Sequence, residues 1–284
     1  MTGRCTIVSE CGLNHGGSLD RAFKLVEAAA NAGADIAKFQ TFIVEAVLRR
    51  TDPDYDRIAP LALPFSAFVE IKQCCDAHGI EFCSTPGDVD SLWFLVQECH
   101  VKRIKIGSDD LTNRELVRAA YKSRLPVVLS TGMAMLHEVS KVLPPAGDVT
   151  LLHCVSLYPC PDELANLRAM DTMRAILHRP VGYSDHCAGT DIAVFAAARG
   201  ACMIEKHLML DDHVMVGAEP PIDLAVSVGP GEFKFMAQMI RLAETAMGDG
   251  CREPGPAEAT LRERLRKGAD GLRGPVEIAE CEDR

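Results

Sequence analysis

Between Pro180 and Met209 the chain reads PVGYSDHCAGTDIAVFAAARGACMIEKHLM. One short apolar run ends in Ser184, Asp185 and His186, a second ends in Glu205, Lys206 and His207, and a small-residue helical stretch separates them. Successive side chains of a strand alternate faces, so Ser184 shares a direction with His186 and Glu205 with His207. Two imidazoles and two carboxylates therefore collect at neighbouring strand ends. A lone histidine in such a place is more often a packing residue. A pair on adjacent strands beside carboxylates points instead to a metal, and imidazole nitrogens suit manganese, zinc, iron or cobalt. Two protein ligands would leave positions open for water and substrate.

The elements that must carry these residues follow from the punctuation of the chain. CTIVSECG reads as a strand, the loop LNHGG follows, and Ser18 is placed to cap a helix that Gly33 closes. ADIAKFQTF is the next strand. A longer excursion, IVEAVLRRTDPDYDRIAPLALP, reads as loop with one short helix, and a helix over Pro64 to His78 comes after it. From there strand and helix alternate regularly to a last helix, GEFKFMAQMIRLAETAMG. Eight strand-then-helix units make the pattern of a (β/α)8 TIM barrel, an α/β fold, rather than an open doubly wound sheet.

In a barrel, chemistry sits where the C-terminal ends of the strands converge. Those ends supply Glu10, Lys38, Gln40, Thr85, Lys105, Ser108, Ser130, Ser156, Tyr158, Ser184, Asp185, His186, Glu205 and His207. Two lysines ringed by hydroxyls make a cradle for a phosphate plus a carboxylate, each lysine giving charge and each hydroxyl a donor. His15 and His153 read as structural, as does Cys154 in its apolar surroundings. No G-x-S-x-G elbow, P-loop or GxGxxG fingerprint occurs, which counts against serine hydrolase, kinase and dehydrogenase chemistry.

Composition narrows the class. With 284 residues, 48% of them hydrophobic, the chain can build a well-packed core. The formal net charge of −10 disfavours nucleic acid as a partner. No run of about 18 apolar residues and no signal peptide pattern is found, so a cytoplasmic protein without a membrane partner is expected. The 12 cysteines are scattered and form no CxxC pair, so they read as buried thiols rather than zinc ligands.

Taken in order, the segments IVSECGLNHGGS, GADIAKFQTF, STPGDVDS, KIGSDDLTN, VVLSTGM, LLHCVSLYP, NLRAM, VGYSDH and IEKH resemble the sialic acid synthase family, which includes N-acetylneuraminate, legionaminate, pseudaminate and spore-coat synthases. The resemblance runs from about residue 5 to residue 250. It implies a transferase of carbohydrate biosynthesis that condenses phosphoenolpyruvate with an aldehyde sugar, releases phosphate and forms a 2-keto-3-deoxy sugar acid. It also implies a divalent metal on His186 and His207, with manganese ahead of magnesium and cobalt. Lys38, Thr85, Lys105, Ser108, Ser130 and Ser184 match residues that hold phosphoenolpyruvate. Glu10, Gln40 and Tyr158 match residues that touch the acceptor or water, and Glu205 matches a catalytic acid/base. Ser156 and Asp185 join the substrate-binding set from their places at the strand ends.

Two departures stand out. Family members carry an RxGPDH-like loop after the eighth strand, where this chain reads DDHVMVGAEPPIDLAVSV, with Glu219 and Asp223 as the candidates to replace the loop's aspartate. Residues 1–250 read as the barrel, and 251–284 as a charged tail in place of the antifreeze-like domain that supplies an arginine to the acceptor. An acceptor other than N-acetylmannosamine is therefore expected, or a separate capping protein, together with a homodimer. The competing readings are another metal-dependent barrel aldolase or lyase acting on a phosphorylated substrate, and a non-catalytic sugar-phosphate binding protein.

Overall fold

The computed structural model describes residues 3–212, 221 and 223–273. Eight parallel strands form it: β1 Thr6–Gly12, β2 Ile36–Thr41, β3 Glu81–Pro86, β4 Ile104–Ile106, β5 Val127–Ser130, β6 Val149–His153, β7 Val181–Asp185 and β8 Met203–His207. Their order is β3-β2-β1-β8-β7-β6-β5-β4, so the first strand lies between the second and the last. The sheet curls into a nearly closed (β/α)8 barrel, with β3 and β4 side by side at the remaining seam. In register, Glu10 lies beside Lys38 on β2 and beside His207 on β8, while Ser184 lies beside Glu205.

The alternation of strand side chains separates two apolar groups. Ile7, Phe39, Phe82, Ile104, Leu129, Leu151, Tyr183 and Ile204 belong to the large core between the strands and the helices. Val8, Ile36, Cys83, Val128, Leu152 and Met203 form a second, smaller cluster inside the barrel. That inner layer plugs the barrel from below, as branched and bulky side chains do in this architecture. Ser18 caps the helix Leu19–Asn31 by accepting from the Arg21 amide, and Gly33 follows with φ +85°. Asp88 caps Val89–Gln97 and Asn113 caps Arg114–Lys122 in the same manner. Each cap satisfies an amide that the first helical turn leaves without a partner.

The excursion after β2 holds two short helices, Val44–Val47 and Tyr55–Ile58, and a 3-10 turn, Ala59–Leu61, where one helix was expected. Strand β4 is only three residues long; just before it Arg103 donates to Glu81 of β3 at 2.6 and 3.1 Å, and after it the chain turns into the 3-10 segment Asp109–Thr112. Helix Pro230–Met247 ends the barrel unit. The second unit begins at Met247, and its described part carries a helix, Pro256–Leu265, that starts with a proline at its first position and buries no residue. Among the described residues no single helix is long and apolar enough to cross a membrane.

Candidate active site

Directly above the apolar plug the next inward positions are charged. Glu10, Lys38, Lys105 and Glu205 are all buried. Lys38 pairs with Glu10, and its Nζ lies 3.5 Å from Glu205 Oε2. Lys105 Nζ lies 3.5 Å from Glu205 Oε1, and Ser184 donates to the same oxygen at 2.8 Å. Burial by itself would raise the Glu205 carboxyl, but the Lys105 and Lys38 ammonium groups and the Ser184 hydroxyl overcome it and hold the group at about 2. Burial, with Lys105 as a second cation nearby, lowers Lys38 to about 8 despite the attraction of Glu205. The outer carboxylate oxygens Glu10 Oε1 and Glu205 Oε2 are buried and accept no hydrogen bond within the chain. Leaving such acceptors empty is costly, so these two atoms face a place that a ligand or water completes.

Hydroxyls surround this charged layer. Thr85 Oγ1 accepts from Lys38 Nζ at 3.1 Å, and Ser108 Oγ accepts from the Gly132 amide at 3.0 Å with Cys154 Sγ 3.2 Å away. Ser130, Ser156 and Gln40 join them in lining one cavity of about 540 Å³.

The imidazoles stand on the facing wall. His186 Nδ1 is 2.7 Å from the Val155 carbonyl and therefore carries its proton toward that oxygen, which leaves Nε2 as the lone-pair nitrogen, accepting from Tyr158 Oη at 2.9 Å. Tyr158 also stacks on the His186 ring at 4.2 Å. Burial and the neighbouring His207 lower His186 to about 4, so the ring is neutral, the form that ligates metals. His207 Nδ1 lies 3.4 Å from Asp223 Oδ2. Burial would raise the Asp223 carboxyl; His207 and His186 lower it overall. The two ring centroids are 5.7 Å apart, within the roughly 6.5 Å that two imidazoles reach when both bind one ion. Among the described residues no group of three or more His, Cys, Asp or Glu side chains surrounds a single point. The donor set fits a divalent ion held by the two imidazoles of His186 and His207, with the remaining positions left to water and ligand.

Of the residues singled out from sequence, Glu10, Lys38, Gln40, Thr85, Lys105, Ser108, Ser130, Ser156, Tyr158, Ser184, His186, Glu205 and His207 line this one cavity. Asp185 does not, which corrects its assignment as a substrate-binding residue. It follows Ser184 by one position and so points to the opposite face of β7, where it is fully buried, pairs with Lys206 Nζ at 3.0 Å and accepts from the Cys187 amide at 3.0 Å. His153 is structural as expected, with Nε2 2.9 Å from the Ala165 carbonyl. Of the two candidates after β8, Asp223 stands beside His207, and Glu219 lies outside the described residues. Sequence reasoning missed Leu13, Phe42, Val47, Leu48 and Ile58, together with Asp109 and Asp110, all of which line the cavity. The signal available for them was the unusual length of the excursion after β2 and the DD pair directly following KIGS.

A family model described as the NeuB family matches residues 25–252. An uncharacterized protein of Methanocaldococcus jannaschii is 41% identical over 92% of this chain and 77% of its own. The N,N'-diacetyllegionaminic acid synthase of Legionella pneumophila is 36% identical over 93% of this chain and 79% of its own. Among solved structures, the N-acetylneuraminic acid synthetase of Leptospira borgpetersenii, crystallised with citrate, superposes with a TM-score of 0.85 at 33% identity and 94% coverage of both chains.

Proposed function

Because this chain belongs to the NeuB family, we propose that it joins phosphoenolpyruvate to an aldehyde sugar, giving a 2-keto-3-deoxy sugar acid and phosphate. The observation that carries this reading is the pair of buried lysines flanking Glu205 in a cavity that also holds the His186 and His207 imidazoles, His207 two residues beyond Glu205 on the same strand. A trianion entering that end meets Lys38 and Lys105 and the hydroxyls of Thr85, Ser108, Ser130 and Ser184, which together take its phosphate and carboxylate. A bound divalent ion, manganese before magnesium or cobalt, would be held by His186 and His207 and would supply Lewis-acid polarisation of the acceptor carbonyl.

The chain's own residues account for the rest. The cradle aims the enol carbon of phosphoenolpyruvate at the acceptor carbonyl carbon. The new C–C bond forms as the carbonyl π bond breaks, leaving an alkoxide that the proton released by the adding water neutralises, and positive charge on the carbon bearing phosphate. Glu205, ionised and a few ångströms from both lysines, stabilises that charge and accepts a proton from the water that adds to it. The tetrahedral hemiketal phosphate then collapses by C–O cleavage, with Lys38 and Lys105 stabilising the departing phosphate. Glu10, in the charged layer, and Gln40, two residues beyond Lys38 on β2, line the same cavity, and the buried Glu10 Oε1 has no hydrogen-bond partner within the chain.

Phosphate release from phosphoenolpyruvate with manganese present, across a panel of aldehyde sugars that includes N-acetylmannosamine, tests the reading. Release that needs the aldehyde and disappears in His207→Ala is the expected result. Release from phosphoenolpyruvate alone, or none with any aldehyde, would move the assignment to a lyase or a binding protein.

Two further outcomes follow from the electrostatics. Lys38 loses its proton as pH rises through about 8, so kcat/KM for phosphoenolpyruvate should fall about tenfold per pH unit beyond that point. A profile flat to pH 10 would show that Lys38 does not lose its proton near 8. Asp223 Oδ2 approaches His207 Nδ1 to 3.4 Å, a charge contact without a formed hydrogen bond, and loss of carboxylate partners of metal-binding imidazoles costs 10- to 100-fold in metal affinity. Asp223→Asn should therefore weaken manganese binding about tenfold in a titration followed by electron paramagnetic resonance, with Asp223→Ala weaker still.

A further inference from the structure

Tyr158 holds the nitrogen that a metal on His186 would need. The ring has Nδ1 at 2.7 Å from the Val155 carbonyl, and its Nε2 accepts the Tyr158 hydroxyl proton at 2.9 Å. Burial, and after it the Asp223 carboxylate, raises the phenol, so the hydroxyl keeps its proton and serves His186 as a donor. The phenol centroid is 4.2 Å from that of His186 and 5.9 Å from that of His207, and the two imidazole centroids are 5.7 Å apart. Tyr158 therefore stands against both imidazoles at once.

One lone pair cannot serve two partners. A metal–imidazole bond is roughly 2.1 Å long, so an ion on the His186 Nε2 lone pair would crowd a hydroxyl held 2.9 Å from that nitrogen. The other ring nitrogen offers no alternative, because its proton is committed to the Val155 carbonyl. Nor is the loop after β6 free to withdraw as a whole. His186 grips it on both sides of Tyr158: its ring donates to the Val155 carbonyl, and its own carbonyl accepts from the Cys160 amide at 2.8 Å. Cys160 and Cys187 pair as a parallel bridge at the same place. The Tyr158 side chain is what can turn, since it is 49% exposed and lines the open cavity.

We propose that Tyr158 and the divalent ion compete for His186 Nε2, so that loading of the ion releases the phenol hydroxyl into the cavity as a donor for the substrate. The inference rests on the reading of His186 and His207 as the metal's ligands, and it adds a residue that opposes the ion rather than holding it. The hydroxyl becomes available only in a loaded site. A neutral hydrogen bond contributes a net factor of about three to ten to an equilibrium constant, and the ion has to displace this one.

The test measures manganese affinity by electron paramagnetic resonance on the full chain after chelator treatment, for the parent, Tyr158→Phe and His186→Ala. Tyr158→Phe keeps the stacked ring and lacks the competing proton, so it should bind manganese about threefold to tenfold more tightly than the parent. Tyr158→Leu should also bind more tightly, and it takes the place of Tyr158→Phe if a thermal melt shows that variant unfolded. Saturating manganese should change the near-ultraviolet tyrosine absorbance of the parent, and this change should be missing in Tyr158→Phe. Affinity equal to the parent's or weaker in the tyrosine variants overturns the inference and leaves the metal on its two imidazoles, since a hydroxyl that binds the ion or its water would be missed rather than welcomed away. Affinity unaltered in His186→Ala overturns the metal reading and this inference with it.

Discussion

Glu205→Gln is expected to lower kcat by about 10³-fold while phosphoenolpyruvate binds as tightly as before or more tightly, because general acid-base groups contribute about 10²- to 10⁴-fold and this one opposes the substrate's charge. A carboxylate between two lysines is a poor design for holding a trianion, since it cancels part of the attraction that Lys38 and Lys105 provide. Its presence there makes sense if it acts on the water that adds after C–C bond formation. The environment holds Glu205 at about 2, so it stays ionised and ready as a base across the working pH range. Glutamine keeps the shape and can still accept from Ser184, so the substitution removes charge with little change in packing. The check is single-turnover phosphate release beside calorimetric binding of phosphoenolpyruvate. A kcat within fivefold of the parent, or a loss of binding equal to the loss of rate, would mean that Glu205 only positions the lysines.

The second large effect concerns stability and lies on the other face of the same strands. Lys206→Met should destabilise the protein by about 3–5 kcal/mol, because removing one partner of a buried ion pair leaves the other charge without compensation. Lys206 Nζ donates to Asp185 Oδ2 at 3.0 Å and to the Cys187 carbonyl, and both charged side chains are fully buried. The two residues are direct neighbours in the β7–β8 register. Lys206→Met combined with Asp185→Leu should recover most of the loss, since replacing both charges by apolar groups is often neutral. Urea unfolding measures both. A single variant costing less than about 1 kcal/mol would show that the buried pair contributes little to stability.

Much of this architecture is legible without coordinates. Ser18, Asp88 and Asn113 stand where helices begin, and each caps its helix. Lys38, Lys105, Glu205 and His207 fall on strand ends by counting, and the two-residue period places them on the inward face. The same period carries Asp185 outward from Ser184, so its true partner could have been anticipated from the alternation that pairs Ser184 with His186. Reading it as a site residue weighed its chemistry above its direction.

What the sequence by itself determined is local: eight strand-helix units, their caps, and the identities of the side chains that leave each strand end. Period and capping depend only on neighbours within a few residues, so they survive without knowledge of the whole. Tertiary structure decided the rest. Closure of the sheet between β1 and β8 brings Glu10, Lys38 and Glu205 into contact although Glu10 and Glu205 lie at opposite ends of the barrel sequence. The path of the excursion after β2 brings Phe42, Val47, Leu48 and Ile58 to the cavity. The fold of the chain after β8 sets Asp223 against His207. Such distances depend on strand order, register and the path of long loops, and no local periodicity carries that information.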